Sequence, residues 1–254
     1  VNAIGIIPAR MGSARFPGKP MARLHGVPMV GHCYHRTRLA AGIAAVHVAT
    51  CDQEIADYVR SIGGSVILTA NTHTRATTRT AEALEHIERA TGEHADVVVM
   101  VQGDEPLIPP ATIAQTLEPF TDPRVEIVNI MSRLRTLEQF ADRNNVKVVV
   151  NQQHDAMYFS REPIPSPWRG VDQVPMFMQT GIIAFRRDVL VRFNRMPESP
   201  LEQIESVDLN RVLEAGGRIR MVLTDAMTIG VDTPEELAAA ETLMTDDPAL
   251  ARYR

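Results

Sequence analysis

The stretch Ile4–Pro20, IGIIPARMGSARFPGKP, decides how the rest of the chain is read. Its first half is an apolar run closed by Pro8. Its second half carries Gly12, Gly18 and Ser13 with three cations, Arg10, Arg15 and Lys19. An apolar strand that runs into a cationic, glycine-bearing loop makes a phosphate cradle. Glycine lets backbone N–H groups approach an anion closely, and the cations neutralise it. The spacing is neither GxxxxGK[ST] nor GxGxxG. The loop is expected to hold a nucleoside triphosphate through Ala9, Arg10, Met11, Gly12, Ser13 and Lys19; the plainer alternative is a solvated basic turn.

Outward from this loop, short apolar runs alternate with helical patterns, which implies βαβ units and a mostly parallel sheet. Strands are expected at Ala3–Ile7, Ala45–Ala49, Val66–Thr69 and Asp96–Val101, the last the most apolar and therefore central. Helices are expected at Met29–Ala40, Glu54–Ser61 and Arg79–Ala90. The texture changes near Arg124. Strands at Val125–Met131, Val146–Asn151 and Ala156–Phe159 are separated by polar or proline-rich segments, and Pro163, Pro165, Pro167 and Pro175 forbid regular helix there. The reading is one domain over 1–254 with an insertion at about 125–210. A strand Met178–Phe185, a helix Leu201–Glu214, a strand Ile219–Thr224 and a helix Thr233–Thr242 close the pattern.

With 254 residues, 44% hydrophobic and 22% charged, the chain has enough material for a sizeable core. A net charge of −5 argues against a nucleic-acid binder. No apolar run approaches the roughly 20 residues of a membrane span, so no membrane partner is expected. The start of the chain reads as a strand, without a signal-peptide pattern. Two cysteines make no disulfide framework and suggest a reduced, cytoplasmic setting. The histidines have no zinc spacing.

Asp104, in Gln102-Gly103-Asp104-Glu105-Pro106, follows the most apolar strand. A carboxylate at a strand's carboxyl end, facing a triphosphate, suits Mg²⁺, which takes a few carboxylates plus waters and phosphate oxygens; the alternative is a turn-forming Asp. Asp232, in Gly230-Val231-Asp232-Thr233-Pro234, reads first as a helix cap. It is promoted to a metal ligand only as the second carboxylate for Asp104. His73, Arg75, Thr77 and Arg79 precede or open a helix and could hold an anion or a base edge, or simply cap. Asp208, on the expected Leu201–Glu214 helix, would share a face with Ile204 and Val212 and could pair with Arg211.

These motifs resemble the cytidylyltransferases that activate 3-deoxy-manno-octulosonate (Kdo), the CMP-Kdo synthetases. The resemblance rests on IIPAR…S-x-RFPGKP at Ile6–Pro20, VQGDEPLI at Val101–Ile108, YFSR-x-x-IP at Tyr158–Pro165, SPLEQIE at Ser199–Glu205 and GVDTPEEL at Gly230–Leu237. It implies an α/β nucleotidyltransferase fold of the nucleotide-diphospho-sugar transferase, Rossmann-like kind, with an inserted dimerisation subdomain and a homodimer. It implies transfer of CMP from CTP to a small acid, with pyrophosphate released. By position, Arg10, Arg15 and Lys19 would hold the phosphates, and Asp104 and Asp232 would bind Mg²⁺. His73, Arg75, Thr77 and Arg79 would form the cytidine pocket. Gln102 would face both the nucleotide and the acceptor, and Arg161, Gln179, Ile183, Glu205, Asp208 and Leu209 would face the acceptor.

The departures from the family pattern cluster. In the family's H-x-S-G-T-x-R segment, Ser is Arg75 and Gly is Ala76 here. Its A-T-D is Ala49-Thr50-Cys51. Its acceptor-strand His and Tyr are Gln179 and Ile183, and its E-Q-L-R is Asp208-Leu209-Asn210-Arg211. The phosphate and metal half is kept and the acceptor half is altered. Losing Tyr and Gln removes hydrogen bonds to sugar hydroxyls, and Arg75 would suit a more anionic acceptor. Kdo or a Kdo-like sugar acid and a small phosphonate such as phosphonoformate both stay open as acceptors. The alternatives outside that chemistry are a transferase using another base and an inactive nucleotide-binding protein.

Overall fold

The computed structural model describes residues 1–12, 16–226 and 230–254. The first strand, β1 (Ala3–Pro8), is buried along its whole length. Its side chains alternate between two cores. Ile4 and Ile6 join one, and Ala3 and Ile7 join the other. A strand buried on both faces must be covered by helices on both sides. The short ribbon β2 (Arg23–Leu24) and β3 (Val27–Pro28) leads into α1 (Met29–Arg38). Strand β4 (Ile43–Thr50), helix α2 (Gln53–Ser61) and strand β5 (Ser65–Leu68) follow. Then come α3 (Ala76–Thr91), β6 (Val97–Val101) and α4 (Pro110–Gln115).

Beyond Arg124 the chain forms β7 (Ile127–Arg133), α5 (Leu137–Ala141), β8 (Lys147–Val150) and β9 (Ala156–Ser160). It continues through β10 (Phe177–Arg186), α6 (Arg187–Arg195), α7 (Pro200–Glu205) and α8 (Asn210–Glu214), and ends with β11 (Arg220–Thr224) and α9 (Pro234–Met244). The central sheet runs β11-β7-β10-β6-β1-β4-β5. On this path only β10 is antiparallel to its neighbours, so the mostly parallel sheet holds. Within 125–210, β7 and β10 are strands of that sheet; β8 and β9 pair with each other and hang from β10.

One face of the sheet carries α3 (Ala83, Leu84, Ile87) and α6 (Val189, Leu190, Phe193). The other carries α1 (Val30, Cys33, Tyr34), α2 (Ile55, Val59) and Ile113 of α4. Gly5 lets α1 approach β1, since a Cβ there would stand 2.6 Å from Thr37 Cγ2. A third, smaller core joins Leu24, Met29, Leu107, Val231, Ala240, Met244 and Leu250.

The expected helix Leu201–Glu214 is two helices. Ser206 sits in the left-handed region at φ 53°, and Asp208 lies in the break. The reason is the capping demand at both sides: α7 is a single proline-started turn and a half, closed by Ser206, and Leu209 turns inward to the core. Ile204 and Val212 therefore do not share a face, as Ile204 is 76% exposed and Val212 is buried. Arg211 pairs with the buried Glu202, not with Asp208.

Candidate active site

The crossovers from β1 lead toward β4 and β5 on one side, and toward β6 and β10 on the other. The switch point lies between β1 and β6, beyond their carboxyl ends, where open α/β sheets bind ligands. A cleft of about 380 Å³ opens there. Its walls come from three places: the loop after β1 (Pro8, Ala9, Arg10, Gly12, Lys19, Pro20), the entry to α3 (His73, Thr74, Arg75, Ala76, Arg79), and the turn after β6 (Gln102, Gly103, Asp104), with Asp232 closing it. Ser13 and Arg15 lie outside the described residues.

Lys19 is the centre of the arrangement. Gly18, at φ +74°, turns the chain into a 3₁₀ turn, Lys19–Met21, that buries the lysine stem. Its Nζ is 2.9 Å from Asp104 Oδ2 and 2.8 Å from Asp232 Oδ1. Burial alone would lower its pKa, but the two carboxylates outweigh burial and raise it, so the ammonium is held charged. Asp232 is not the helix cap. Thr233 caps α9 by accepting from Glu236 N, and Glu236 reaches back to the Asp232 and Thr233 amides. That leaves the Asp232 carboxylate to Lys19. A hydrogen bond from Val231 N to Asp104 O (2.9 Å) ties the two acidic segments together.

The two carboxylates thus converge on one point, and a cation already stands at it. Paired hard oxygen ligands beside a phosphate cradle fit Mg²⁺ in donor type and number, and the Lys19 ammonium marks where positive charge is held.

At the α3 side, Arg10 Nη1 donates to His73 O (3.3 Å), and the His73 ring bridges Thr78 Oγ1 and Glu82. Arg79 is buried in the cleft wall. Its Nη1 donates to Thr69 Oγ1 and Ala70 O, while its Nη2 has no partner among the described residues. A buried guanidinium N–H without an acceptor is costly unless a ligand supplies one. Arg75 faces the cleft and touches Ser206 Oγ at 3.3 Å. Thr77 is buried away from the cleft lining and donates to Asp208 Oδ2 (2.8 Å). Burial pushes the Asp208 carboxyl up, against that hydrogen bond and the nearby Arg75.

Of the expected acceptor residues, Gln102 lines the cleft. Ile183 and Leu209 are buried in the core. Gln179 Oε1 is buried without a partner among the described residues. Arg161 is engaged with the carbonyls of Glu205, Arg143 and Ser206. Glu205 accepts from Tyr158, Ser160 and the Arg161 amide; burial would raise its pKa, but these bonds outweigh it and hold it low. Arg161 and Glu205 form one network at the 206–209 break, on the far side of Arg75.

Two residues escaped the sequence reading. Asp52 Oδ2 accepts from Met11 N (2.8 Å) and so shapes the phosphate loop from the end of β4. Its signal was the carboxylate one place beyond Ala49-Thr50-Cys51. Glu105 is fully buried, and burial pushes its carboxyl up to about 7, with Asp104 adding and the Gly181 N–H opposing. Its Oε1 takes that N–H at 2.5 Å and so fixes β10 to the Asp104 turn. Nothing in the sequence marks a loop Glu as buried.

A family model described as cytidylyltransferase matches residues 4–221. The chain is 42% identical over 243 residues to the 3-deoxy-manno-octulosonate cytidylyltransferase of Geobacter metallireducens, covering 91% of this chain and 93% of that one. It is similar to a solved CMP:2-keto-3-deoxy-manno-octonic acid synthetase complexed with CTP, with a TM-score of 0.89 and 39% identity over 97% of this chain and 100% of that chain. A putative glucose-1-phosphate thymidylyltransferase from Bacillus anthracis, crystallised with sucrose, shares the fold alone, with a TM-score of 0.68 at 18% identity over 96% of each chain. A nucleotide-sized cleft at the switch point, a lysine held between two carboxylates and these likenesses lead to one assignment: the chain belongs to the cytidylyltransferase family of nucleotidyltransferases, among the 3-deoxy-manno-octulosonate cytidylyltransferases.

Proposed function

We propose that this enzyme transfers CMP from CTP to Kdo or a Kdo-like sugar acid, with Mg²⁺ as cofactor and pyrophosphate as the second product. The observation that carries it is the convergence of Lys19, Asp104 and Asp232 in a cleft whose wall holds an Arg79 Nη2 without a partner among the described residues. The relatives' names support Kdo as acceptor.

The acceptor hydroxyl attacks the α-phosphorus in line and gives its proton up to solvent; the bond to the bridging oxygen of the β-phosphate breaks, and pyrophosphate leaves with the electron pair. The protein's work is positioning and charge neutralisation. Arg10 and the amides after β1 hold the triphosphate. Arg79 and His73 hold the nucleoside end, and Gln102 faces the reacting groups. Lys19 places positive charge beside the phosphates, where negative charge develops. Mg²⁺, held by Asp104 and Asp232, supplies Lewis-acid charge neutralisation when bound. Arg75, reaching from α3 toward the acceptor side, supports a second reading in which the acceptor is a small phosphonate, whose oxygen is already ionised.

Pyrophosphate release decides between them. CTP with Kdo and Mg²⁺ is expected to turn over, and UTP or ATP to do so poorly. Turnover with phosphonoformate but not Kdo would install the second reading. Tight CTP binding with no turnover on any acid would make the chain an inactive nucleotide binder. We further propose a homodimer built on the 125–210 segment. Its support is exposed apolar surface there: Leu137, Met157, Trp168 and Ile204 are all exposed. A light-scattering mass of one chain would refute it. A cytoplasmic setting fits the two free cysteines, and among the described residues no helix is long and apolar enough to cross a membrane.

A further inference from the structure

Outside the cleft lining, Arg36 of α1 is fully buried. Its Nη1 donates to the carbonyls of Leu107 (3.2 Å) and Ile108 (3.3 Å), just after the Asp104 turn. Its Nη2 pairs with Asp247 at 2.5 Å, just past the end of α9. Its Nε donates to the Tyr253 hydroxyl (3.2 Å), which also meets His32 Nδ1 at 2.8 Å. One guanidinium therefore holds both chain segments that carry the acidic residues. Around it, the third core packs Leu107 with Val231, the neighbour of Asp232, and with Met244 and Leu250 from the end of the chain. Phe16, three places before Lys19, packs on the same core.

Helix α9 is a rod of 11 residues, roughly 16 Å long at 1.5 Å per residue. Its amino end is fixed by the Val231–Asp104 hydrogen bond. Its carboxyl end is fixed by Arg36 through Asp247. A rod pinned at both ends cannot swing, so the gap between the carboxylates of Asp104 and Asp232 is set from behind. Neither Arg36 nor Asp247 lines the cleft.

We propose that Arg36 is a positioning residue for the Asp104–Asp232 pair, acting through the Leu107 and Ile108 carbonyls on one side and Asp247 on the other. The role rests on the reading of that pair as the Mg²⁺ site. The test uses Mn²⁺, which takes the same oxygen ligands and is visible by electron paramagnetic resonance. It is titrated into the full chain with CTP and no acceptor, and CTP affinity and melting temperature are measured alongside. Replacing both charges together, Arg36→Met with Asp247→Leu, avoids leaving a lone buried charge. The expected result is Mn²⁺ affinity weakened by about tenfold, the lower end for lost outer-shell partners of a metal site, with CTP affinity and melting temperature near those of the wild type. Arg36→Lys keeps the charge for Asp247 but cannot span both carbonyls, so it is expected to weaken Mn²⁺ in the same direction should the paired variant not fold. Wild-type Mn²⁺ affinity in the folded paired variant, or in Arg36→Lys, would overturn the positioning role. If Asp104→Asn abolishes Mn²⁺ binding while those variants retain it, the positioning role alone falls. If the wild type with CTP binds no Mn²⁺, the metal reading falls and the positioning role with it.

Discussion

Lys19 shows how much one side chain can carry. It is buried, charged and shared between two carboxylates that lie 85 and 213 residues away in sequence. Its apolar stem packs in the protein while its head meets the acids. Lys19→Met keeps the stem and removes the ammonium that Asp104 and Asp232 share. Turnover is expected to fall by about 10²–10³-fold, the loss seen when a donor aimed at developing negative charge is removed. Steady-state pyrophosphate release at saturating CTP checks it; turnover near the wild-type value would end the assignment of Lys19 to the chemistry. His32 makes a second residue-scale case. Its Nε2 faces the Leu24 carbonyl and its Nδ1 the Tyr253 hydroxyl, the pattern of a neutral ring that donates through one nitrogen and accepts through the other.

At the scale of elements, the bulge in β10 sets the cleft. Strand β10 loses register with β7 between Gln179 and Ile183. Gly181, in that irregularity, gives its N–H to Glu105 and its carbonyl to Gln102 N. A Cβ at Gly181 would stand 2.8 Å from Gln102 Cβ. Gly181→Ala is therefore expected to push Gln102 out of place and raise the KM for the acceptor more than that for CTP, because CTP keeps its other contacts on the loop after β1 and on Arg79. Equal changes in both constants, or none, would contradict this. Helix α9 offers a test of its cap. Thr233→Ala removes the Glu236 N–H acceptor and half of the capping box, with an expected stability loss of about 1 kcal/mol, read from urea unfolding.

The whole molecule adds a pH dependence that no single element has. Burial, against the pull of the Leu24 carbonyl and with Arg36 adding, holds His32 at about 4 rather than its ordinary 6.5. The unfolded chain therefore binds a proton between about pH 6.5 and 4 that the folded chain refuses. Stability from this group is complete above pH 6.5 and drains away as pH falls toward 4, by roughly 3 kcal/mol in total. Glu105, with its carboxyl at about 7, contributes in the opposite sense over much of this range, so the His32 part is read as the difference between wild type and His32→Gln in urea unfolding at a series of pH values, a difference expected to shift against the wild type as pH falls from 6.5 toward 4. An unchanged slope in the variant would assign the acid sensitivity elsewhere.

Much of this was legible in the sequence. The alternating strands and helices, the phosphate loop and the two acidic turns are local patterns: apolar periodicity, glycines and short motifs set them within a few residues. The Leu201–Glu214 helix failed for a local reason too, because Ser206 takes a left-handed conformation that its residue type does not advertise. What only the tertiary structure decided is long-range. Sequence read Asp104 as a metal ligand and Asp232 first as a cap, promoted only as a second carboxylate; packing gave the cap to Thr233 and brought both acids to Lys19. Glu105 was drawn into the interior, Thr77 was joined to Asp208, and α9 was locked to α1 through Arg36. Local patterns record which backbone conformation a segment prefers. Which charges meet, and which lose their water, depends on segments 76 to 213 residues apart and is set only when the cores close.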